Sequence, residues 1–202
     1  MIDKSRWIEV LKKELPGEKA HQIMAPSFRG SFEHEDEPSM AAVMALLYPS
    51  GERVQLIFIK RNEYDGPHSG QVSFPGGAWE EQDENLEYTA IRETREELGI
   101  QEEIEILGKL TPLYIPVSNF LVAPFLGWLP GRPAYRPDNS EVQYVIEAGL
   151  AELLKPENCR SERMYRNERV VEAPFYLAGK EKIWGATAMM LSEILQLAST
   201  LP

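Results

Sequence analysis

Short apolar runs bounded by turn residues alternate along the chain with longer stretches whose apolar residues recur at helical spacing. The runs Met40–Tyr48 and Val54–Arg61 flank the turn sequence PSGER and predict two neighbouring strands. Similar runs predict further strands at Ile104–Thr111, Phe120–Leu129 and Gln143–Glu147, and within Arg163–Leu177. The middle of the chain is therefore expected to be rich in strands.

Three stretches have the spacing expected of helices. Ile2–Leu15 is predicted as a short amphipathic helix, and Gly185–Thr200 as a helix after the last strand. Leu86–Leu98 is predicted as a helix whose N-terminus is capped by Asp83 or Asn85. The interspersed helices and strands indicate an α/β or mixed α+β fold, with helices packed on a mixed sheet.

Segments punctuated by proline and glycine are predicted as loops. They include Pro16–Ser39, which has no clear periodicity, Asn62–Ser73, and the Pro-rich stretch Leu129–Ser140. Too little sequence follows the last of these loops for a second domain. We therefore expect one domain over residues 1–202, with an N-terminal helical extension over about residues 1–38.

Composition narrows the classes of partner. The chain has 202 residues, a mass of 23.0 kDa and 43% hydrophobic residues, which suffices for a buried core. Its net charge of −11 argues against non-specific nucleic-acid binding, which requires clustered Lys and Arg. An anionic ligand would need a local cationic patch or a metal ion to be attracted.

Neither a membrane span nor a disulfide framework is expected. No apolar run approaches the roughly 20 residues that a transmembrane helix needs. The first residues lack the apolar region of a secretory signal. The single cysteine, Cys159, allows neither an internal disulfide nor a Cys-rich zinc site, so the cytoplasm is the expected location.

Three carboxylates share one face of the helix predicted at Leu86–Leu98. A rotation of about 100° per residue places Glu93, Glu96 and Glu97 opposite the apolar residue Ile91. Like charges at this spacing cost roughly 0.2–0.5 kcal/mol per pair on an exposed helix. One interpretation is a solvated acidic face. The other is a site for a hard divalent cation, because such ions prefer several oxygen ligands.

The same helix carries a family resemblance. The sequence RETREELGI, Arg92–Ile100, resembles the core of the Nudix box, Arg-Glu-U-x-Glu-Glu-x-Gly-U with U apolar. Upstream, Gly77 is followed by Asp83 where the box has Glu, and Thr94 replaces an apolar residue. The gap to Arg92 is one residue longer than in the general box, as in the coenzyme A diphosphatase branch. The resemblance implies a Nudix fold, a mixed β-sheet sandwiched between α-helices.

An upstream stretch, IFIKRNEYDGPHSGQVSFPGG, resembles the signature of that branch. Arg61, Gly70 and Phe74–Gly77 are in register with it. Gly66 stands where the signature has a second arginine, and Asn62 replaces Ser or Ala. The later stretches SEVQYV and IWGATA are also similar to the branch, so the resemblance covers most of residues 41–188.

The resemblance implies roles for the box residues. Glu93 and Glu97 are the expected main ligands of Mg²⁺ or Mn²⁺. Glu96 is expected to be a further ligand, direct or through water, or the base that takes a proton from the attacking water. The carbonyl of Gly76 is expected to complete the metal shell, although Pro-Gly-Gly also suits a simple tight turn. Arg92 is expected to orient a box glutamate by a salt bridge.

Substrate-binding candidates lie in and around the same motifs. Arg61 is preferred to Lys60 as a phosphate ligand because a guanidinium suits bidentate contacts, although a solvated charge at a strand end is the alternative. Gly77 in the glycine turn is a further candidate. Glu141 is a candidate for the extra carboxylate that many Nudix enzymes place on a later loop.

Three other features are interpreted mainly as structural. Cys159–Arg169 contains four arginines and is more typical of a solvated edge strand than of a substrate patch. His68 is more typical of a hydrogen-bonded loop residue than of a catalyst. Trp184 is expected in the core rather than in a substrate pocket.

The resemblance implies metal-dependent hydrolysis of a diphosphate linkage, with coenzyme A or a derivative giving 3′,5′-ADP and a phosphopantetheine. The missing arginine at Gly66 leaves ADP-ribose, a dinucleotide or a nucleoside triphosphate as alternative substrates. A non-catalytic domain that binds a nucleotide or a protein is a third interpretation. The expected partner is a small nucleotide, and a homodimer is plausible.

Overall fold

Helices and strands are interspersed through residues 4–27, 37–66, 68–166 and 169–201, which the computed structural model describes. The helices are α1 (Lys4–Leu11), α2 (Gly17–Ile23), α3 (Leu86–Leu98), α4 (Leu150–Leu153) and α5 (Gly185–Ser199). A single 3₁₀ turn, Pro156–Asn158, follows α4 in this part of the chain. Among the described residues, no helix is long and apolar enough to cross a membrane.

The strands form one large mixed sheet and one small antiparallel sheet. The large sheet contains β1 (Ser39–Ser50), β2 (Arg53–Arg61), β3 (Val72–Ser73), β4 (Gly76–Ala78), β5 (Glu105–Lys109), β6 (Leu113–Ile115), β7 (Phe120–Trp128) and β8 (Val142–Gly149). The small sheet contains β9 (Cys159–Arg166), β10 (Arg169–Ala178) and β11 (Glu181–Trp184).

Strand β1 organises the large sheet. It pairs in parallel with β7 and antiparallel with β2, and its first half also pairs antiparallel with β4. Strand β2 in turn pairs with β3 and β8, while β7 pairs with β5 and β6. The short β4 is therefore held beside the start of β1, and this arrangement fixes the glycine turn against the sheet.

Alternate residues of β1 belong to two hydrophobic cores. Ala42, Met44 and Leu46 pack in the core that includes buried residues of α3. Ala45 and Leu47 pack in the core that includes buried residues of α5 and α1. Because successive side chains of a strand point to opposite faces, the sheet lies between helices on both sides. The predicted mixed fold, a sheet sandwiched between helices, is confirmed.

Helix α3 has the bounds that the sequence predicts. The side chain of Asn85 caps it, accepting a hydrogen bond of 2.9 Å from the amide of Tyr88. Gly99 ends it in the left-handed conformation, with φ 61°, and donates its amide to the carbonyl of Arg95. Of the two candidate caps, Asn85 therefore fills the role, and Asp83 is free for another contact.

Several shorter elements were not predicted. The loop predicted at Pro16–Ser39 contains α2, in which Ala20 and His21 are buried; residues 28–36 lie outside the described residues. The loop predicted at Asn62–Ser73 ends in β3, and the strand predicted within Arg163–Leu177 is the β9–β10 hairpin. Helix α2 and strand β3, with seven and two residues, show too few periods for a sequence pattern to reveal them.

A buried carboxylate joins α2 to the rest of the fold. The side chain of Glu193 in α5 is fully buried and accepts hydrogen bonds from the amide of Gly17 and from the amide and hydroxyl of Thr111. The imidazole of His21 lies 3.4 Å from its second oxygen. Burial opposes ionisation, but the contacts with His21 and Thr111 outweigh it and hold the pKa of Glu193 below its usual range.

Replacing Glu193 by alanine should lower the free energy of unfolding by roughly 2–4 kcal/mol, because several buried donors lose their acceptor. The depressed pKa makes this contribution present above the unfolded value of about 4.3 and lost as pH falls through the folded value. Urea unfolding at several pH values should show a difference that is wide near neutral pH and narrows in acid. The exposed Glu103→Ala is the control; an equal effect of both changes would refute the assignment.

Candidate active site

A cavity of about 400 Å³ lies between the first half of β1, the β2–β3 edge, helix α3 and the start of α5. This volume is in the range of small-molecule sites. Carboxylates of Glu93, Glu97 and Glu141 line it together with the guanidinium of Arg61. The rest of the wall is mainly apolar, with residues of β6, β7 and α5. The cavity thus combines a charged region with an apolar one.

Glu97 is the most deeply buried carboxylate of this cavity. Its side chain is 2% exposed. One oxygen accepts a hydrogen bond of 2.8 Å from the amide of Gly76, and the other lies 3.5 Å from Nη1 of Arg61. Burial raises the pKa of Glu97 to about 8 despite these two contacts. A buried carboxylate with so elevated a pKa is typical of a functional site.

The two glycines of the Pro-Gly-Gly turn leave room that a side chain would fill. A Cβ atom at Gly77 would lie 2.5 Å from the carboxylate of Glu93. Gly76 has a φ of 145°, and a Cβ there would lie 2.3 Å from the carbonyl oxygen of Ala42. Gly76 therefore needs to be glycine, because its φ is positive and the backbone of β1 is too close for a Cβ. A side chain at Gly77 would instead displace the carboxylate of Glu93.

Arg92 connects three carboxylates at the side of α3. It makes a two-bond ion pair with Asp83, with Nε–Oδ1 and Nη2–Oδ2 distances of 2.8 and 2.9 Å. Its Nη1 also donates to Glu93 at 2.9 Å and to Glu96 at 3.0 Å. The predicted salt bridge between this arginine and box glutamates is present in the structure. Burial raises the pKa of Glu93, and Arg92 opposes that effect.

Asp83 fixes Arg92 rather than capping the helix. Its side chain is fully buried and also accepts bonds from the Thr89 hydroxyl and the Glu80 amide. The hydrogen bonds from Arg92 are the main reason that its pKa lies well below the usual range, although burial opposes the shift. The shorter Asp at the box position therefore still holds the guanidinium beside α3.

The candidate substrate ligands differ in where their side chains lie. Arg61 and Glu141 line the cavity, as does Gly77. Lys60, the less favoured candidate, instead forms an ion pair of 3.2 Å with Glu181. The preference for Arg61 over Lys60 as the phosphate ligand agrees with this geometry. The role of Arg61 in substrate binding stays a prediction.

Other residues that the sequence analysis singled out are not among the described residues that line the cavity. The side chain of Glu96 is 59% exposed and contacts Arg92, so its role as ligand or base stays a prediction. Trp184 is partly buried at the end of β11 and does not line the cavity. Arg160 and Arg163 are exposed on β9, and the side chains of residues 166 and 169 lie outside the described residues.

Sequence analysis did not identify several residues of the wall. His68, interpreted as a loop residue, lines the cavity with a φ of 66°, and its Nε2 lies 3.2 Å from the hydroxyl of Ser118. Ser73, Phe120 and Met190 also line it. They come from β3, β7 and α5, and no local motif connects them, because only the folded sheet brings these elements together.

The acidic part of the cavity suits a divalent cation. Glu93, Glu97 and Glu141 supply carboxylate oxygens, which are the ligands that Mg²⁺ and Mn²⁺ prefer. Burial raises the pKa of both Glu93 and Glu97, so a cation between them would relieve an unfavourable charge. In the described ranges, however, no three carboxylate, histidine or cysteine side chains are already gathered as a metal site.

Replacing Asp83 by asparagine should lower the free energy of unfolding by roughly 3 kcal/mol or more, because Arg92 loses its buried ion-pair partner. Thermal and urea unfolding of the variant at neutral pH measure this loss. Glu84→Gln, which changes an exposed neighbouring carboxylate, should alter stability by less than about 0.5 kcal/mol. A wild-type stability for Asp83→Asn would show that the buried pair does not hold this part of the fold.

Comparisons with known proteins agree with this geometry. Residues 38–172 match the model of the NUDIX domain. The human mitochondrial coenzyme A diphosphatase is 35% identical over 164 residues, which cover 79% of this chain and 70% of that protein. An uncharacterised Nudix hydrolase of Photorhabdus laumondii is 31% identical over 142 residues, which cover 70% of this chain and 75% of the relative.

The fold has matching solved structures. A MutT/nudix family protein from Enterococcus faecalis superposes with a TM-score of 0.56 at 17% identity, over 98% of this chain and 76% of that one. At this identity the likeness concerns the fold alone. The domain match and the similarity to named hydrolases extend over most of the chain, including the helix with the clustered carboxylates. The chain therefore belongs to the Nudix hydrolase family.

Proposed function

We propose that this Nudix hydrolase cleaves the diphosphate linkage of coenzyme A or a derivative of it, with Mg²⁺ or Mn²⁺. The observation that carries the proposal is the cavity in which the carboxylates of Glu93 and Glu97 lie beside the guanidinium of Arg61. Carboxylates and a guanidinium on one wall suit a metal-bound diphosphate. The similarity to the human coenzyme A diphosphatase favours coenzyme A as the substrate.

Glu93 and Glu97 are the proposed principal ligands of the metal, with the carbonyl of Gly76 as a further one. When bound, the ion neutralises phosphate charge and lowers the pKa of a coordinated water. Glu97 is oriented for this role by the hydrogen bond from the Gly76 amide, and Glu93 by the one from Arg92. Glu141 supplies an additional carboxylate to the same cavity.

Arg61 and Glu96 have separate proposed roles in the reaction. Arg61 binds a phosphate oxygen and holds the diphosphate against the carboxylates. The oxygen of a water molecule attacks phosphorus, and the bond from that phosphorus to the bridging oxygen breaks. Glu96 takes the proton of the water if it acts as the base, and its solvent exposure lets it pass the proton on. The alternative role of Glu96 is a metal ligand, direct or through water.

A different substrate is the main competing function. Gly66 lies where the branch signature has an arginine, and it is exposed and outside the cavity wall. ADP-ribose, a dinucleotide or a nucleoside triphosphate would use the same metal and phosphate ligands. A domain that only binds nucleotides is disfavoured because Glu93, Glu96 and Glu97 are all present.

Three further properties accompany the proposal. The chain is proposed to be one domain with an N-terminal helical extension; α5, beyond the family match, packs in the same core as the sheet. A homodimer and a cytoplasmic location stay predictions. The human relative is a mitochondrial protein by its name, and this says nothing of where the present protein is located. Fractionation of the native cell would measure its location.

Hydrolysis of coenzyme A by the purified protein, with and without Mg²⁺ or Mn²⁺, tests the proposed function directly. We expect metal-dependent release of 3′,5′-ADP and phosphopantetheine, resolved by mass. ADP-ribose, a dinucleotide and a nucleoside triphosphate at equal concentration serve as competing substrates. Faster turnover of one of these than of coenzyme A would replace the proposed substrate and keep the chemistry.

Glu97→Gln should reduce kcat by about 100-fold or more, because a neutral amide cannot replace a carboxylate ligand of the metal. The amide keeps an acceptor for the Gly76 amide, so the melting temperature should change little. The exposed Glu87→Gln on the same helix is the control, with expected wild-type turnover. Retention of wild-type turnover by Glu97→Gln would overturn the assignment of the site.

A further inference from the structure

Two residues that line the cavity each carry a buried polar atom without a hydrogen-bond partner in the described part of the chain. These atoms are the hydroxyl oxygen of Ser73 and Nε of Arg61. Buried polar groups are nearly always paired, since an unpaired group loses its bonds to water and gains none in return. An unpaired polar atom on a residue that lines a cavity is therefore a candidate contact for a ligand group.

The two atoms belong to neighbouring strands and share one face of the sheet. Ser73 in β3 is the register partner of Ile59 in β2, and Arg61 follows Ile59 by two residues. Residues two apart on a strand point to the same side, and diagonal neighbours on paired strands lie within reach of each other. The backbone amide of Arg61 bonds the carbonyl of Gln71, which holds the strands together at this point.

The chemistry of the pair suits a phosphate oxygen. A hydroxyl and a guanidinium N–H are both donors, and the guanidinium carries a fixed positive charge. Nη1 of Arg61 contacts Glu97, and its Nε has no acceptor among the described residues. Of the described residues that line the cavity, Arg61 is the only one with a permanent positive charge, and a second donor would strengthen its hold on an anion.

We infer that the hydroxyl of Ser73 binds a phosphate oxygen of the substrate together with Nε of Arg61. This inference deepens the proposed diphosphatase function and rests on it. The phosphate belongs either to the scissile diphosphate or to the 3′-phosphate of coenzyme A. In this chain, Ser73 and Arg61 thus form the phosphate site in the cavity, while Gly66 has no side chain to contribute.

Ser73→Ala is the central test, because it removes the hydroxyl and little else. A hydrogen bond to a charged group changes an equilibrium constant by roughly 10-fold to 100-fold, so the KM should rise by about that factor. Coenzyme A and dephospho-coenzyme A distinguish the two sources of phosphate. An equal rise with both substrates places the contact at the diphosphate, and a rise with coenzyme A alone places it at the 3′-phosphate.

A binding measurement separates this inference from the choice of substrate. Calorimetric titration with ADP, without a metal, reports the phosphate contact even if coenzyme A is not cleaved. Ser73→Ala should weaken ADP binding by about 10-fold or more, and Ser73→Thr, which keeps a hydroxyl, should restore most of the affinity. Ser199→Ala, which removes a hydroxyl near the end of α5 outside the cavity wall, should bind ADP as the wild type does.

Stability distinguishes ligand binding from a structural role. An unpaired buried hydroxyl gives no stability to the free protein, so Ser73→Ala should melt at the wild-type temperature or above it. In a double-mutant cycle with Arg61→Lys, the effects on ADP affinity should be non-additive if both side chains hold one phosphate. A lower melting temperature with unchanged ADP affinity, or strictly additive effects, would overturn the inference.

Discussion

The ion pair between Arg92 and Asp83 is the interaction on which the geometry of α3 depends. Three glutamates on one helix face repel each other, and a helix made of them alone would have no fixed arrangement of charge. The guanidinium, held by a fully buried aspartate, contacts two of those glutamates. The third, Glu97, is buried and bonded to the glycine turn instead. Two separate donors, the guanidinium of Arg92 and the amide of Gly76, thus hold the three carboxylates that repel each other.

The glycine turn and the helix are consequently one functional unit. The amide of Gly76 reaches Glu97, and the absent side chain of Gly77 leaves space for Glu93. The turn can take this position because β4 pairs with the start of β1, which also pairs with β7 in the centre of the sheet. A shift of β4 would move the Gly76 amide away from Glu97, whose spacing from Glu93 is set by helix α3. The pairing of β4 with β1 therefore controls the position of the glycine turn relative to the candidate metal ligands.

The fold class and the bounds of α3 could be predicted because both depend on local patterns. Alternating strands and helices indicate the layers, and Asn85 and Gly99 mark the helix ends with their own backbone and side-chain chemistry. The carboxylate cluster was visible for the same reason, since helical spacing decides which residues share a face. Helix α2 was missed because its position depends on the distant Glu193 rather than on its own periodicity.

The cavity itself could be predicted only in part. Two of its three carboxylates, Glu93 and Glu97, come from the single motif Gly76–Glu97, whereas the apolar part of the wall comes from residues far along the chain such as Phe120 and Met190. A one-dimensional pattern carries no signal for side chains that meet across such distances. Ser73 is a further example: the sequence shows an ordinary serine before Phe74, and its unpaired hydroxyl is apparent only in three dimensions.

The parallel pairing of β1 with β7 has a consequence for the order of folding. Register partners such as Ala41 and Val122 have strands β2 to β6 between them in the sequence. Helix α5, which contributes the last part of the cavity wall, follows still further along the chain. Contacts of such separation form late, because the intervening loop must first lose its conformational entropy. Helix α3 and the β1–β2 hairpin can form early from local contacts. The ability to bind a ligand is therefore expected to be among the last properties that the chain acquires as it folds.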